Sequence, residues 1–295
     1  MSEDRNNLVK KLNLAGNRNT PRLVLLALGT DENTDVRELV ASNPSTTDDI
    51  LSILAQDKTP SVRELVARNT GTSVGTYLIL ENDESIKVRE QVASNPNAPE
   101  ATLTRLGQDK SVDVRRHVAK NPSTPKETLF NLANSKDLRI RQNIASNLSS
   151  TDEILAYLES WSDEEIRKRI ARNPRTSIAT LKRLAMADEQ YVRQSVLENP
   201  ITPVDILISL SNDAVESVKA QAEERLRRAR GQVQKETNLE ISVEVPAGVS
   251  DAEIEKIIVE AALRADFAHR KLGGRGLKVK TAEVLVEERK PVLGS

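Results

Sequence analysis

The sequence predicts an α-solenoid of 26-residue helix-pair repeats followed by a small β-α-β domain. Three observations predict it. The Asn of a V-A-x-N-P phrase recurs every 26 residues, at Asn43, Asn69, Asn95, Asn121, Asn147, Asn173 and Asn199, the Pro missing after Asn69 and Asn147. Six places before each stands an arginine: Arg37, Arg63, Arg89, Arg115, Arg141, Arg167 and Arg193. After Gly231 that period stops, and alternating apolar residues take over at Leu239–Val245.

Each repeat resolves into two short helices. In the first, Val36, Val40 and Ala41, like Val114, Val118 and Ala119, share one face at helical spacing. Asn-Pro is expected to end it, because Asn tolerates a left-handed helix end and Pro cannot continue the ladder. The second helix is expected to open on a capping residue with Pro at its first position, as at Thr20-Pro21, Thr124-Pro125 and Thr202-Pro203. Glu127 and Glu153, three residues after Thr124 and Ser150, complete capping boxes. Pairs such as Leu103/Leu106, Leu129/Leu132, Leu155/Leu158 and Leu181/Leu184 supply its apolar edge.

A lone helix pair cannot stand. Its handful of apolar side chains brings roughly 1.5–3 kcal/mol each, against about 1–2 kcal/mol of backbone entropy for every residue ordered. Stacking supplies the missing burial. The predicted domains are therefore a solenoid over residues 1–230 with degenerate caps at both ends, a polar linker over 231–237, and a β-α-β domain over 238–295. That last domain is near the lower size limit for an independent core, so dimerisation through it is an expectation.

The phrase V-R-x-x-V-A-x-N-P-x-T-P-x-x-x-L-x-x-L-A, read from Val114 to Ala133, resembles the leucine-rich-repeat-variant proteins, architectural relatives of HEAT repeats. The resemblance covers about residues 8–225. It implies a right-handed superhelix of paired short helices, the second partly 3₁₀. The founding type of that family carries a cysteine-ligated iron–sulfur cluster; this chain has no Cys, so no cofactor is carried over. At the other end, His269 to Leu277 (HRKLGGRGL) is similar to small α/β modules attached to effectors of bacterial conflict systems. That resemblance implies an adaptor coupled to an effector protein.

Composition narrows the function. The 295 residues include 43 basic and 44 acidic side chains, no Cys, two His and 2% aromatics. Thiolate nucleophiles, disulfides and cysteine–metal sites are excluded, and a ring-lined cofactor pocket has little to be built from. No apolar run is long enough to span a bilayer, and the N-terminus is no signal peptide, so a cytoplasmic, non-membrane protein is expected. No nucleophile–base pair or carboxylate dyad stands out, and the Gly273–Gly276 loop reads as a helix stop. The chain is not expected to be an enzyme.

The arginine column reads as structural. Asp31, Asp57, Asp83 and Asp109 each precede an arginine of the column by six, a spacing suited to tying one repeat's loop to another's helix. The Asn column reads as a helix-end device. Two features invite a binding role. Between residues 105 and 183 there are 16 basic against 10 acidic side chains, with Arg116, Lys120, Arg139, Arg169 and Arg172 among them. Such a stripe suits a nucleic-acid backbone, although residues 1–230 are neutral overall with 33 charges of each sign. Trp161 stands where other repeats carry Asp57, Asp83 and Asp109, with Tyr157 before it and Tyr191 one repeat on. Trp and Tyr beside arginines have the chemistry of a protein-interface anchor. A partner protein is thus the leading expectation, nucleic acid the alternative.

Overall fold

A computed structural model describes residues 2–237, and among these the structure is helical throughout, with no strand. Two compact units divide the chain, Met1–Arg175 and Thr176–Ser295. The expected β-α-β domain, its dimerisation and the His269–Leu277 phrase lie outside the described residues.

The first unit holds α1 (Ser2–Gly16), α2 (Arg22–Leu28), α3 (Thr34–Ser42), α4 (Asp48–Leu54), α5 (Pro60–Arg68), α6 (Val74–Leu80), α7 (Ile86–Ser94), α8 (Glu100–Leu106), α9 (Val112–Lys120), α10 (Lys126–Ala133), α11 (Leu138–Ser146), α12 (Asp152–Glu159) and α13 (Glu164–Arg172). Odd-numbered helices form one row, each packed on the next from α1 to α13, and each is joined at its flank by an even-numbered partner. The second unit holds α14 (Ile178–Leu184), α15 (Gln190–Glu198), α16 (Val204–Leu210) and the long α17 (Glu216–Thr237). α17 packs on α15 and α16, and it runs through 231–237, the stretch the sequence marks as a linker.

Period and burial agree. Val36, Val62, Val88, Val114, Ile140 and Ile166 are sealed from solvent, as are Val40, Val66, Val92, Val118, Ile144 and Ile170 four residues on. Leucines at 25, 51, 103, 129 and 155 complete the core from the second helices, with Tyr77 in the corresponding place of α6. These second helices are α-helical; no 3₁₀ segment is present among the described residues.

Three local devices differ from the expectations. The column asparagines are not left-handed: Asn43, Asn121 and Asn173 have φ between −68° and −71° and ψ between 122° and 125°. A following Pro favours this extended backbone, but Asn69 and Asn147, followed by Thr70 and Leu148, adopt it too. Asn instead pins repeat to repeat. Asn121 Nδ2 donates to the carbonyls of Ala93 and Asn95 in the preceding repeat, both at 2.8 Å, while its Oδ1 accepts from Ser123 N at 2.9 Å. Asn43, Asn69, Asn147 and Asn173 repeat the same donations, and Asn95 Nδ2 bonds the Ala67 carbonyl. In the second unit Asn199 is buried and accepts from Ile201 N.

The prolines sit one place earlier than expected, at the N-cap itself: Pro21, Pro125 and Pro203 have ψ of 144° or more and precede the first helical residue. The Thr before each is not a cap. Its hydroxyl reaches back to the first helix, Thr20 to Leu14 O and Thr124 to Val118 O at 2.6 Å and Thr202 to Val196 O at 2.5 Å, and Ser150 in the same column bonds Ile144 O at 2.7 Å. The capping boxes at Glu127 and Glu153 therefore do not form. Those glutamates stand in the first turns of α10 and α12, where the helix dipole favours a carboxylate.

The last repeat ends in a substitution of one device by another. Arg225 falls 26 residues after Asn199, and its Nη1 bonds the carbonyls of Leu197 and Asn199, the same two acceptor places an asparagine would serve. Burial lowers the Arg225 pKa from its ordinary value.

Candidate functional site

The arginine column forms a ladder with the aspartates, in a register that spacing alone does not give. Arg37 Nε and Nη2 grip Asp57 at 2.6 and 3.1 Å; Arg63 grips Asp83 at 2.6 and 2.9 Å; Arg89 grips Asp109 at 2.7 and 3.1 Å. In the second unit Arg193 grips Asp213 at 2.7 and 3.0 Å. Each carboxylate lies 20 residues after its arginine, on the loop of the next repeat. The aspartate six residues before supplies only its backbone carbonyl, as Asp31 O does to Arg37 Nη1 at 2.8 Å. Lys11, in the arginine column one period before Arg37, starts the ladder on Asp31 at 2.6 Å, a rung the sequence reading missed.

These pairs are mostly buried, and their titration follows from that. Burial pushes the Asp57 and Asp109 carboxyls up, and the hydrogen bonds and charges of Arg37 and Arg89 outweigh it, holding both below the ordinary carboxylate value. The Lys11 ammonium does the same for Asp31, and Arg193 for Asp213. Each Asp Oδ1 of the first-unit arginine pairs also accepts a backbone N–H two residues on, from Thr59, Ser85 and Ser111 at 2.8 Å, so one carboxylate shapes its loop and ties the stack.

The ladder breaks in the middle. Positions 135, 161 and 187 carry Ser, Trp and Ala where Asp is regular. Arg115 Nη1 still bonds the carbonyls of Asp109 and Lys110, but no carboxylate meets it. At the next break the Trp161 ring lies over Arg141, 4.2 Å from guanidinium carbon to ring centroid, a cation–π contact. Arg141 Nε is sealed there without a hydrogen bond. The turn that presents Trp161 contains Ser162 at φ 54°, the only non-glycine residue with positive φ among the described residues. A serine there costs about 1–2 kcal/mol. Trp161 remains 41% exposed.

The other candidates separate into paired and surface groups. Arg116 is tied to Asp137 through Nε and Nη2 at 3.1 and 2.6 Å and to Asp113 at 2.6 Å, which raises its pKa further. Arg169 bonds Glu165 at 3.0 Å and Ser146 Oγ at 3.2 Å, and Lys168 shares Glu165 at 2.8 Å. Arg105 is tied to Glu81. Much of the expected basic stripe is thus neutralised in place. Lys120, Arg139 and Arg172 are exposed. Tyr157 packs on Phe130, centroids 6.0 Å apart and planes at 48°, and its hydroxyl donates to Asn134 Oδ1. Phe130, itself 46% exposed, is a surface aromatic the sequence reading missed; its column holds Leu26, Ser52, Leu78 and Thr104 elsewhere and gives no periodic signal. Tyr191 is exposed on α15 in the second unit. His117 Nδ1 lies 2.8 Å from Asp113 O, on its own helix.

Among the described residues no group of His, Asp and Glu gathers in a metal-binding cluster, and no helix is long and apolar enough to cross a membrane. The fold and this surface define an α-helical repeat protein. Residues 86–111, one full period, match the family described as Leucine rich repeat variant. A solved leucine-rich repeat variant, described as having a novel repetitive structural motif, is similar over 69% of this chain and 81% of its own, at 21% identity and a TM-score of 0.52. A designed armadillo repeat protein aligns at 13% identity over 69% of this chain and 97% of its own, with a TM-score of 0.27. No curated protein matches the chain.

Proposed function

We propose that this chain is a non-catalytic protein-binding scaffold, its repeats recognising a partner protein and residues 238–295 coupling it to a second one, an effector. The observation that carries the reading is the aromatic surface of the fifth and sixth helix pairs. Phe130 and Tyr157 pack at a tilt on adjacent second helices, and Trp161 follows in the next loop, held by Arg141 with two-fifths of its surface in solvent. Large rings kept at the surface on a rigid frame are what protein interfaces use as anchors. Nucleic-acid binding finds less support, because Arg105, Arg116 and Arg169 are each committed to a carboxylate.

The test is a pull-down from the native host with the full chain, with and without nuclease, beside Trp161→Ala and Tyr157→Ala. A nuclease-resistant protein is expected, bound more weakly by each variant. Loss of about 2 kcal/mol per anchor corresponds to roughly thirtyfold in affinity. Recovery of nuclease-sensitive material alone would overturn the scaffold reading.

A further inference from the structure

The break at Ser135 leaves a guanidinium built to take a carboxylate. Arg115 occupies the same place in its repeat as Arg37, Arg63 and Arg89, and like Arg37 and Arg89 its Nη1 is held by two loop carbonyls. In those three repeats the Nε–Nη2 edge meets an aspartate in a two-pronged grip. In Arg115 that edge has no hydrogen-bond partner, and Arg115 is half-buried, its edge not fully sealed as Arg141 Nε is.

The surroundings favour an anion. Lys110 and Lys136, on the loops to either side, and Arg139, in the first turn of α11, are exposed and make no ion pair. The nearby carboxylates are engaged: Asp109 with Arg89, Asp113 and Asp137 with Arg116. Trp161 holds the equivalent loop position one repeat on. Packed helices stand about 8–10 Å apart and an extended chain advances about 3.3 Å per residue, so roughly three residues of an extended segment bridge the two positions.

We propose that Arg115, rimmed by Lys110 and Lys136, is the docking point for an aspartate or glutamate of an extended acidic segment in the partner protein. An apolar residue about three positions away lies on Trp161. The partner thereby supplies the rung this chain omits. The inference rests on the scaffold reading and names the chemistry of what it binds. A carboxylate is favoured over a phosphate because the edge on offer is the one that grips Asp in the neighbouring repeats, and because Arg105, Arg116 and Arg169 of the basic stripe are already paired with carboxylates.

The test fills the gap from within. Ser135→Asp places a carboxylate where Asp109 stands one repeat earlier; Ser135 Oγ already accepts from Asp137 N at 3.2 Å, the loop bond that the ladder aspartates make. Full-length protein is titrated by fluorescence anisotropy with a labelled peptide of Asp-x-x-Leu repeats, and with a labelled single-stranded oligonucleotide of equal charge. The peptide is expected to bind. Ser135→Asp should weaken it at least tenfold while leaving the melting temperature equal or higher, so the loss is not unfolding. Ser135→Asn should stay within twofold of the parent, and Arg115→Gln should weaken binding like Ser135→Asp. Failure of the peptide to bind, or equal binding by parent and Ser135→Asp, overturns the proposal. An oligonucleotide that binds as tightly and is lost in parallel overturns it in favour of phosphate. If the pull-down partner is retained through Trp161 yet unaffected by Ser135→Asp, this inference fails while the scaffold reading stands. If only nuclease-sensitive material is recovered, both fail.

Discussion

Asn121→Ala removes three hydrogen bonds from the middle of the first unit. Two run from Nδ2 to the carbonyls of Ala93 and Asn95 at 2.8 Å, and one runs from Ser123 N to Oδ1 at 2.9 Å. The Asn95 carbonyl keeps a second donor, Ala98 N at 3.0 Å. The Ala93 carbonyl, at the end of α7, is left buried without its side-chain donor. At about 1 kcal/mol net per hydrogen bond, and about 1–3 kcal/mol for a buried group left unsatisfied, the loss should be about 2–4 kcal/mol. Equilibrium urea denaturation followed by far-ultraviolet circular dichroism measures it. A change in slope beside the midpoint would show that the array has come apart in two stages. Two further substitutions separate this account from a left-handed helix end. Asn121→Gly should lose at least as much as Ala, because φ is −68° and nothing there calls for glycine. Asn121→Asp keeps the Ser123 bond but sets a carboxylate oxygen against two carbonyls, so it should be at least as damaging at neutral pH and partly recover as acid protonates it. A glycine variant as stable as the parent, within about 0.5 kcal/mol, would refute the inter-repeat pin.

Two other substitutions test the core and the ladder. Tyr77 is buried in a leucine column with its hydroxyl unpartnered, and burial pushes its pKa up to about 12. Tyr77→Phe should therefore be neutral or stabilising, by up to about 1 kcal/mol, and a clear drop in melting temperature would reveal a partner for that hydroxyl. Asp31, Asp57, Asp109 and Asp213 are held below their ordinary values, so the folded state binds fewer protons than the unfolded chain. Their contribution is present in full above the unfolded carboxylate pKa near 4 and is lost as pH falls through the lower folded values. Melting temperature against pH should be flat from 7 to about 5 and fall below about 4. Asp57→Asn should start lower and fall less steeply; an unchanged acid slope would remove Asp57 from the account.

How much was legible in advance depended on how local each device is. The valine and leucine columns are a helical period written into neighbouring residues, and they appear in the core as read. The asparagine column was visible as a column but misread in mechanism, since Asn-Pro announces a helix end without saying what the amide will reach. Its acceptors lie 26 and 28 residues back. The aspartates mislead for the same reason. Six residues is the spacing to their own repeat's arginine, whereas the carboxylate bonds the arginine 20 residues earlier. Phe130 and the Lys11 rung carried no signal at all: one sits in a mixed column, the other replaces the residue that defines its column.

Sequence by itself therefore determined the repeat, its length, its two-helix content and its buried faces, because each follows from dihedral preference and burial within one unit. Tertiary stacking alone decided which donor meets which acceptor between units. Those bonds join groups a full period apart, and a side chain's reach across the stack depends on how loops and helices of successive repeats are set against each other. The break in the ladder shows both halves: Ser135 and Trp161 are visible as exceptions in the sequence, but only the packed repeats show an open guanidinium edge at one and a ring laid over an arginine at the other.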